Sequence, residues 1–164
     1  TMLKIKERKA GDFIDLDNYF TQINDEEIDL KERDALAIKF LSLLLGKNYI
    51  KRKFLFFFKK KTAKEIEEIT VDYINQVLEL KQEFEFIYNP PAMPSRSTDE
   101  QSQPSIGDEY RQEFAQCYGG YVDMTYLIAS VFRLKPDEVM QMRCQDYLFW
   151  GNFLLHKKFV ENIK

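Results

Sequence analysis

Histidine occurs once in the 164 residues, as His156, and cysteine twice, as Cys117 and Cys144. A histidine-based triad therefore has one conceivable base, and a multi-histidine metal site has no ligand set. The two cysteines stand 27 residues apart and neither belongs to a Cys-x-x-Cys pair, so two reduced thiols are expected. Long apolar runs are missing as well. Runs such as Leu43–Leu45 and Phe54–Phe58 fall far short of the roughly 20 residues of a membrane span. Neither a phosphate-binding Gly-x-x-x-x-Gly-Lys loop, nor a Gly-x-Gly-x-x-Gly turn, nor a Gly-x-Ser-x-Gly elbow occurs. No cofactor, metal or enzymatic role is expected. The net charge of −3 is too close to zero to name a polyanionic partner.

Aromatic surface is what the chain has instead: 14 Phe, 9 Tyr and 1 Trp. With 45% hydrophobic and 31% charged residues, the composition is that of a globular chain, one domain or one domain with a small appendage. Such a balance favours packing and binding over bond chemistry. Thr1 precedes Met2, which is expected to be the natural start. Residues 3–9, Leu-Lys-Ile-Lys-Glu-Arg-Lys, have no apolar core of a signal peptide.

The periodicity predicts a mainly α fold: a helical domain with a short N-terminal β element and a C-terminal tri-helical unit. The β element is the alternation of Leu3 and Ile5 with Lys4 and Lys6. Phe13, Leu16, Tyr19, Phe20 and Ile23 then fall at helical spacing, with Asp12 as N-cap. A second helix is predicted over 30–45, with Gly46 as its stop. Thr62-Ala63-Lys64-Glu65 reads as a capping box before a long helix. The helix carries Ile66, Ile69, Tyr73, Val77, Leu80, Phe84 and Ile87 in near-heptad steps. That stripe suits either the domain's own core or self-association of the 66–87 helix. Phe84, Phe86 and Tyr88 also alternate at period two, so the helix can yield to a strand there.

Three parts are expected: residues 1–88, a polar, proline-rich linker or loop over 89–107, and a helical part over 108–164. The last part should hold helices near 108–118, 122–134 and 136–142, and a final helix capped by Asp146 and running to about 162. Residues 128–142 match the apolar positions of a helix-turn-helix. Arg133, however, occupies the turn position that favours glycine, and Asp137-Glu138 would repel DNA at the start of the short helix. A packed helical corner is the better reading.

Residues 47–64 hold eight Lys or Arg among 18 and no acid, with Tyr49, Phe54, Phe56, Phe57 and Phe58 interleaved. The basic patch, Lys51, Arg52, Lys53, Lys59, Lys60 and Lys61, could neutralise phosphates while the rings stack on bases. It also fits an anionic membrane, an acidic protein partner, or a buried Phe cluster with solvated lysines. Residues 65–100 carry nine acids against Lys81 and Arg96, enough to neutralise the patch within the fold.

Three C-terminal runs carry a resemblance: Tyr118-Gly119-Gly120-Tyr121-Val122-Asp123, Ile128-Ala129-Ser130-Val131-Phe132-Arg133-Leu134, and Pro136-Asp137-Glu138-Val139 with Tyr147-Leu148-Phe149-Trp150. This pattern resembles the tail assembly chaperones of tailed bacteriophages, most closely over 118–155. Lys4-Ile5-Lys6 and Gly11-Asp12-Phe13 resemble their strand-then-helix opening. The resemblance implies a non-enzymatic protein of the bacterial host's cytoplasm. It would bind the tape measure protein, recruit tail tube subunits, and be absent from the finished virion. Phe54, Phe56, Phe57, Phe58, Tyr121, Tyr126, Trp150 and Phe153 are the candidate partner-binding residues. A nucleic-acid-binding regulator using residues 47–64 and a structural tail component are the alternatives.

Overall fold

The computed structural model describes residues 4–46, 60–89 and 120–163. Over these residues the protein is mainly helical. After a 3-10 turn at Ile5–Glu7, the helices are α1 (Ala10–Ile23), α2 (Leu30–Leu45), α3 (Lys60–Glu83), α4 (Glu85–Tyr88), α5 (Tyr121–Phe132), α6 (Pro136–Met140) and α7 (Cys144–Ile163). Several expectations lie outside the described residues: Phe54, Phe56, Phe57, Phe58, Lys51, Arg52, Lys53, Lys59, Cys117, most of the proline-rich stretch, and the helix near 108–118. Lys60 and Lys61 open α3.

The predicted N-terminal strand is not formed at Ile5. The side chain of Ile5 is fully buried, and its N–H donates to Gln76 Oε1 on α3 at 2.8 Å. An alternating pattern makes a strand only where another strand can pair with it. Here the partner is a helix, so the chain curls into a turn. Extended pairing among the described residues is confined to one bridge, Lys9 with Arg143. Around it the Ala10 N–H donates to Met142 O at 2.8 Å and the Cys144 N–H to Arg8 O at 2.6 Å. These bonds clip the N-terminal segment to the start of α7.

Helices α1 and α2 form a hairpin closed by an Asp25 turn, in which the Glu27 N–H donates to Asp25 Oδ1 at 3.0 Å. Gly46 ends α2 with φ 88°, the left-handed region where a Cβ is disfavoured. Arg8 completes that end: its guanidinium donates to Leu43 O at 2.9 Å and to Leu44 O at 2.5 Å. A cation on the last carbonyls offsets the helix dipole and satisfies acceptors the helix leaves open.

The stripe on α3 turns inward. Tyr73, Val77, Leu80 and Phe84 are buried, with Ile66, Ile69 and Ile87 half-buried against the core. Phe20, Phe40 and Tyr73 form an aromatic trio with centroids 5.0 to 5.8 Å apart. The predicted switch to a strand after Phe84 is a break in the helix, followed by the short α4. Three predicted caps move as well. α1 starts at Ala10, α3 at Lys60 and α7 at Cys144, so Asp12, Thr62 and Asp146 lie inside the first turns. Acids at that depth still favour the positive end of a helix.

One core collects residues from every part of the described chain, from Ile5, Phe13 and Leu16 through Tyr73 to Met124, Ile128, Tyr147 and Leu148. A polar seam crosses it. Tyr121 Oη donates to Asp17 Oδ2 at 3.1 Å and accepts from Tyr88 Oη at 2.8 Å. Thr125 Oγ1 and Tyr147 Oη both donate to Tyr121 O, at 2.6 and 3.0 Å. α1, α4, α5 and α7 are thereby fixed in one register. Burial pushes the Tyr121, Tyr88 and Tyr147 phenols above the ordinary tyrosine range.

Candidate partner-binding surface

The C-terminal unit begins with α5, whose mostly apolar sequence buries Tyr121, Met124, Ile128 and Ala129. It stops at Arg133, where φ is 55° and ψ is 39°. The Leu134 N–H then donates back to Ala129 O at 2.9 Å, closing the helix end. Arg133 thus adopts the conformation for which glycine was expected, with its side chain in solvent. Pro136 opens α6, and Glu138 accepts from the Lys135 N–H at 2.7 Å. Val139 anchors this corner in the core with no exposure.

α7 returns along α5, and Gly151 sets how closely. A Cβ on Gly151 would lie 2.0 Å from Met124 Sδ and 2.6 Å from Met124 Cγ. Any other residue would push the helices apart or repack Met124. This close approach brings a ring from α5 against rings from α7. Trp150 is half-buried and sits between Phe132 at 4.8 Å, Phe149 at 5.3 Å and Phe153 at 6.0 Å, each near perpendicular. Edge-to-face contacts of this kind are worth about 0.5–1.5 kcal/mol each and hold the rings rigid.

The outer faces remain open to solvent. Phe132 is 39% exposed, Phe149 52% and Phe153 51%, and Val131 and Leu134 at the end of α5 are exposed as well. Val160, two turns beyond Phe153 on α7, is also exposed. A contiguous exposed patch centred on aromatic rings is the surface type that marks a binding interface. Covering the open halves of Phe149 and Phe153 would contribute about 1 kcal/mol each.

The structure separates the expected residues. Trp150 and Phe153 are in the patch, and Tyr126 is exposed on α5. Tyr121 is buried: its ring lies edge-on to Phe13 at 5.8 Å and its hydroxyl is held by Tyr88 and Asp17. It is a core residue, not a contact residue. Phe132 and Phe149 belong to the patch but were not among the expected residues. Phe149 stands four before Phe153 on one helix, a spacing that places both on one face; nothing in the sequence singles out Phe132.

Chemically the patch offers stacking and apolar burial rather than proton transfer. His156 lies edge-on to Phe86 of α4 at 5.1 Å, which ties α4 to α7. The Cys144 thiol is buried and pushed up to about 12, so it stays protonated at neutral pH. Among the described residues no group of three or more His, Cys, Asp and Glu could hold a metal ion. None of the described helices is long and apolar enough to cross a membrane. No family model matches the chain, and neither a curated protein nor a solved structure matches it.

Proposed function

We propose that the protein is a non-enzymatic tail assembly chaperone of a tailed bacteriophage, acting in the host cytoplasm. On this reading the Trp150 patch holds a segment of the tape measure protein until tube subunits replace it. The observation that carries the reading is the rigid, half-exposed set of Phe132, Phe149, Trp150 and Phe153. A tape measure protein is a long helical chain with apolar faces, and such a face needs a complementary apolar surface. The resemblance over 118–155 spans the same helices. Recruitment of tail tube protein would use a second surface, for which residues 51–61 are the candidate.

Co-expression with the tape measure protein of the same phage tests the reading. The two should co-purify, and the tape measure protein should gain solubility. If it stays insoluble and is not retained, the reading fails. A tail component would persist in purified virions, whereas a chaperone is absent from them. Against a DNA-reading role stand Asp137 and Glu138, both exposed at the start of α6.

A further inference from the structure

The rim of the Trp150 patch is basic along the end of α5 and along α7. From Met124 to Pro136, across the end of α5 and the turn, there is no acid, while Arg133 and Lys135 are exposed. From Tyr147 to Val160 on α7 there is again no acid, while Lys157 and Lys158 are exposed beside His156. Two of the carboxylates that flank these stretches are engaged. Asp146 is held by Arg143 at 2.8 and 3.2 Å, and Glu138 accepts from the Lys135 N–H. Glu161 lies 4.0 Å from Lys157, both side chains being mostly exposed, a pairing too weak to neutralise the lysine. Asp137 is exposed on α6.

Shape narrows the occupant further. Phe149 and Phe153 stand one turn apart on one face of α7, about 6 Å along the axis, and His156 and Lys157 follow in the next turn. Among the described residues there is no sheet edge to which an extended peptide could add a strand. Two rings one turn apart, flanked by Trp150, are matched by the apolar face of a second helix laid beside them. Three exposed cations are few for an anionic lipid surface, where each adds about 1 kcal/mol and two half-exposed rings add little more.

We infer that the Trp150 patch takes an acidic amphipathic helix, its apolar stripe on Phe149, Trp150 and Phe153 and its carboxylates facing Arg133, Lys135 and Lys157. This deepens the proposed function by naming the chemistry of the bound segment, and it rests on that reading for the patch being a contact face. Charges on the rim of a contact select among partners and speed encounter.

Trp150 is the chain's one tryptophan, so its fluorescence reports the patch without a label. Three designed peptides serve as probes: leucines at heptad a and d with glutamates elsewhere, the same stripe with lysines, and the glutamate peptide with its leucines scrambled. The glutamate amphipathic peptide should shift Trp150 emission and bind about tenfold tighter than the lysine peptide, with the advantage shrinking as salt rises. The double variant Lys135→Glu, Lys157→Glu should lose the preference while keeping its far-UV circular dichroism. Equal binding of the two stripes, or equal binding of the scrambled peptide, overturns the inference. A Trp150 shift with phosphatidylserine vesicles and none with the peptides also overturns it, in favour of a membrane surface. The outcome is separable from that of co-expression. Peptide selectivity without retention of the tape measure protein leaves the inference standing and removes the chaperone reading; retention without selectivity does the reverse.

Discussion

Gly151→Ala is a substitution whose sign tests the packing of α5 on α7. In an open helix the change stabilises by about 0.5–1 kcal/mol, because alanine loses less backbone entropy on folding. At Gly151 the new Cβ would sit 2.0, 2.6 and 2.9 Å from Sδ, Cγ and Cε of Met124, a side chain with no exposure. Ordinary contact needs about 3.5–4 Å, so three atoms must retreat by an ångström or more inside a filled core. Overpacking of that kind costs about 1–3 kcal/mol, and the net effect in the native background is a loss of about 1 kcal/mol. Met124→Ala alone should cost about 2–5 kcal/mol through the cavity it leaves. In that background the clash is gone, so Gly151→Ala should regain its helical benefit of about 0.5–1 kcal/mol. The coupling between the two sites is then about 1–3 kcal/mol, read from urea unfolding of the four proteins by circular dichroism. If Gly151→Ala stabilises the native background as much as it stabilises Met124→Ala, the close approach of α5 and α7 is not there.

Two tyrosines should behave oppositely when their hydroxyls are removed. Tyr121→Phe, which breaks the bonds to Asp17 and Tyr88, should cost about 1–2 kcal/mol in urea unfolding. Tyr73→Phe should be neutral or stabilising, since the Tyr73 hydroxyl is buried with no hydrogen-bond partner among the described residues. Stability should fall as pH rises above about 9. The unfolded Cys144 thiol ionises near its ordinary 9.0, whereas the buried one holds its proton until about 12, so alkali favours the unfolded chain. The Tyr121, Tyr88 and Tyr147 phenols, raised by burial, add to the loss above their ordinary value of 10.0, and a flat urea midpoint through this range would count against their burial. Arg8→Met should cost about 1–2 kcal/mol by leaving the last carbonyls of α2 without their donor, and Arg8→Lys should recover only part of it.

Much of the helical layout was legible because it rests on local rules. The span of α2 and its stop at Gly46 follow from apolar spacing and the freedom of glycine. The inward stripe of α3 is visible as a near-heptad, and the α5–α6–α7 corner as an apolar pattern broken by Arg133 and Pro136. What failed depended on neighbours. Leu3 and Ile5 alternate, but no strand stands beside Ile5, only Gln76 and α3. Asp12, Thr62 and Asp146 are good cap residues, yet the helices begin earlier because tertiary contacts at Ala10 and Cys144 hold the extra turn. Composition gave no means of ranking the aromatics by exposure. Tyr121 and Phe132 stand at the two ends of one helix; one lies under Phe13, Tyr88 and Asp17, the other beside Trp150, and the packing of α1 and α4 on the first end decides which is covered.

The central claim is that a partner helix lies on the Trp150 patch, and the fluorescence of Trp150 in the purified complex tests it most directly. With the tape measure protein bound, the emission should move to shorter wavelength and the indole should be shielded from acrylamide. The Phe149→Ser, Phe153→Ser double variant, which loses two ring contacts worth about 1–3 kcal/mol together but should keep its far-UV circular dichroism, should fail to retain the partner. A stable complex in which Trp150 emits and is quenched as in the free protein would contradict the account.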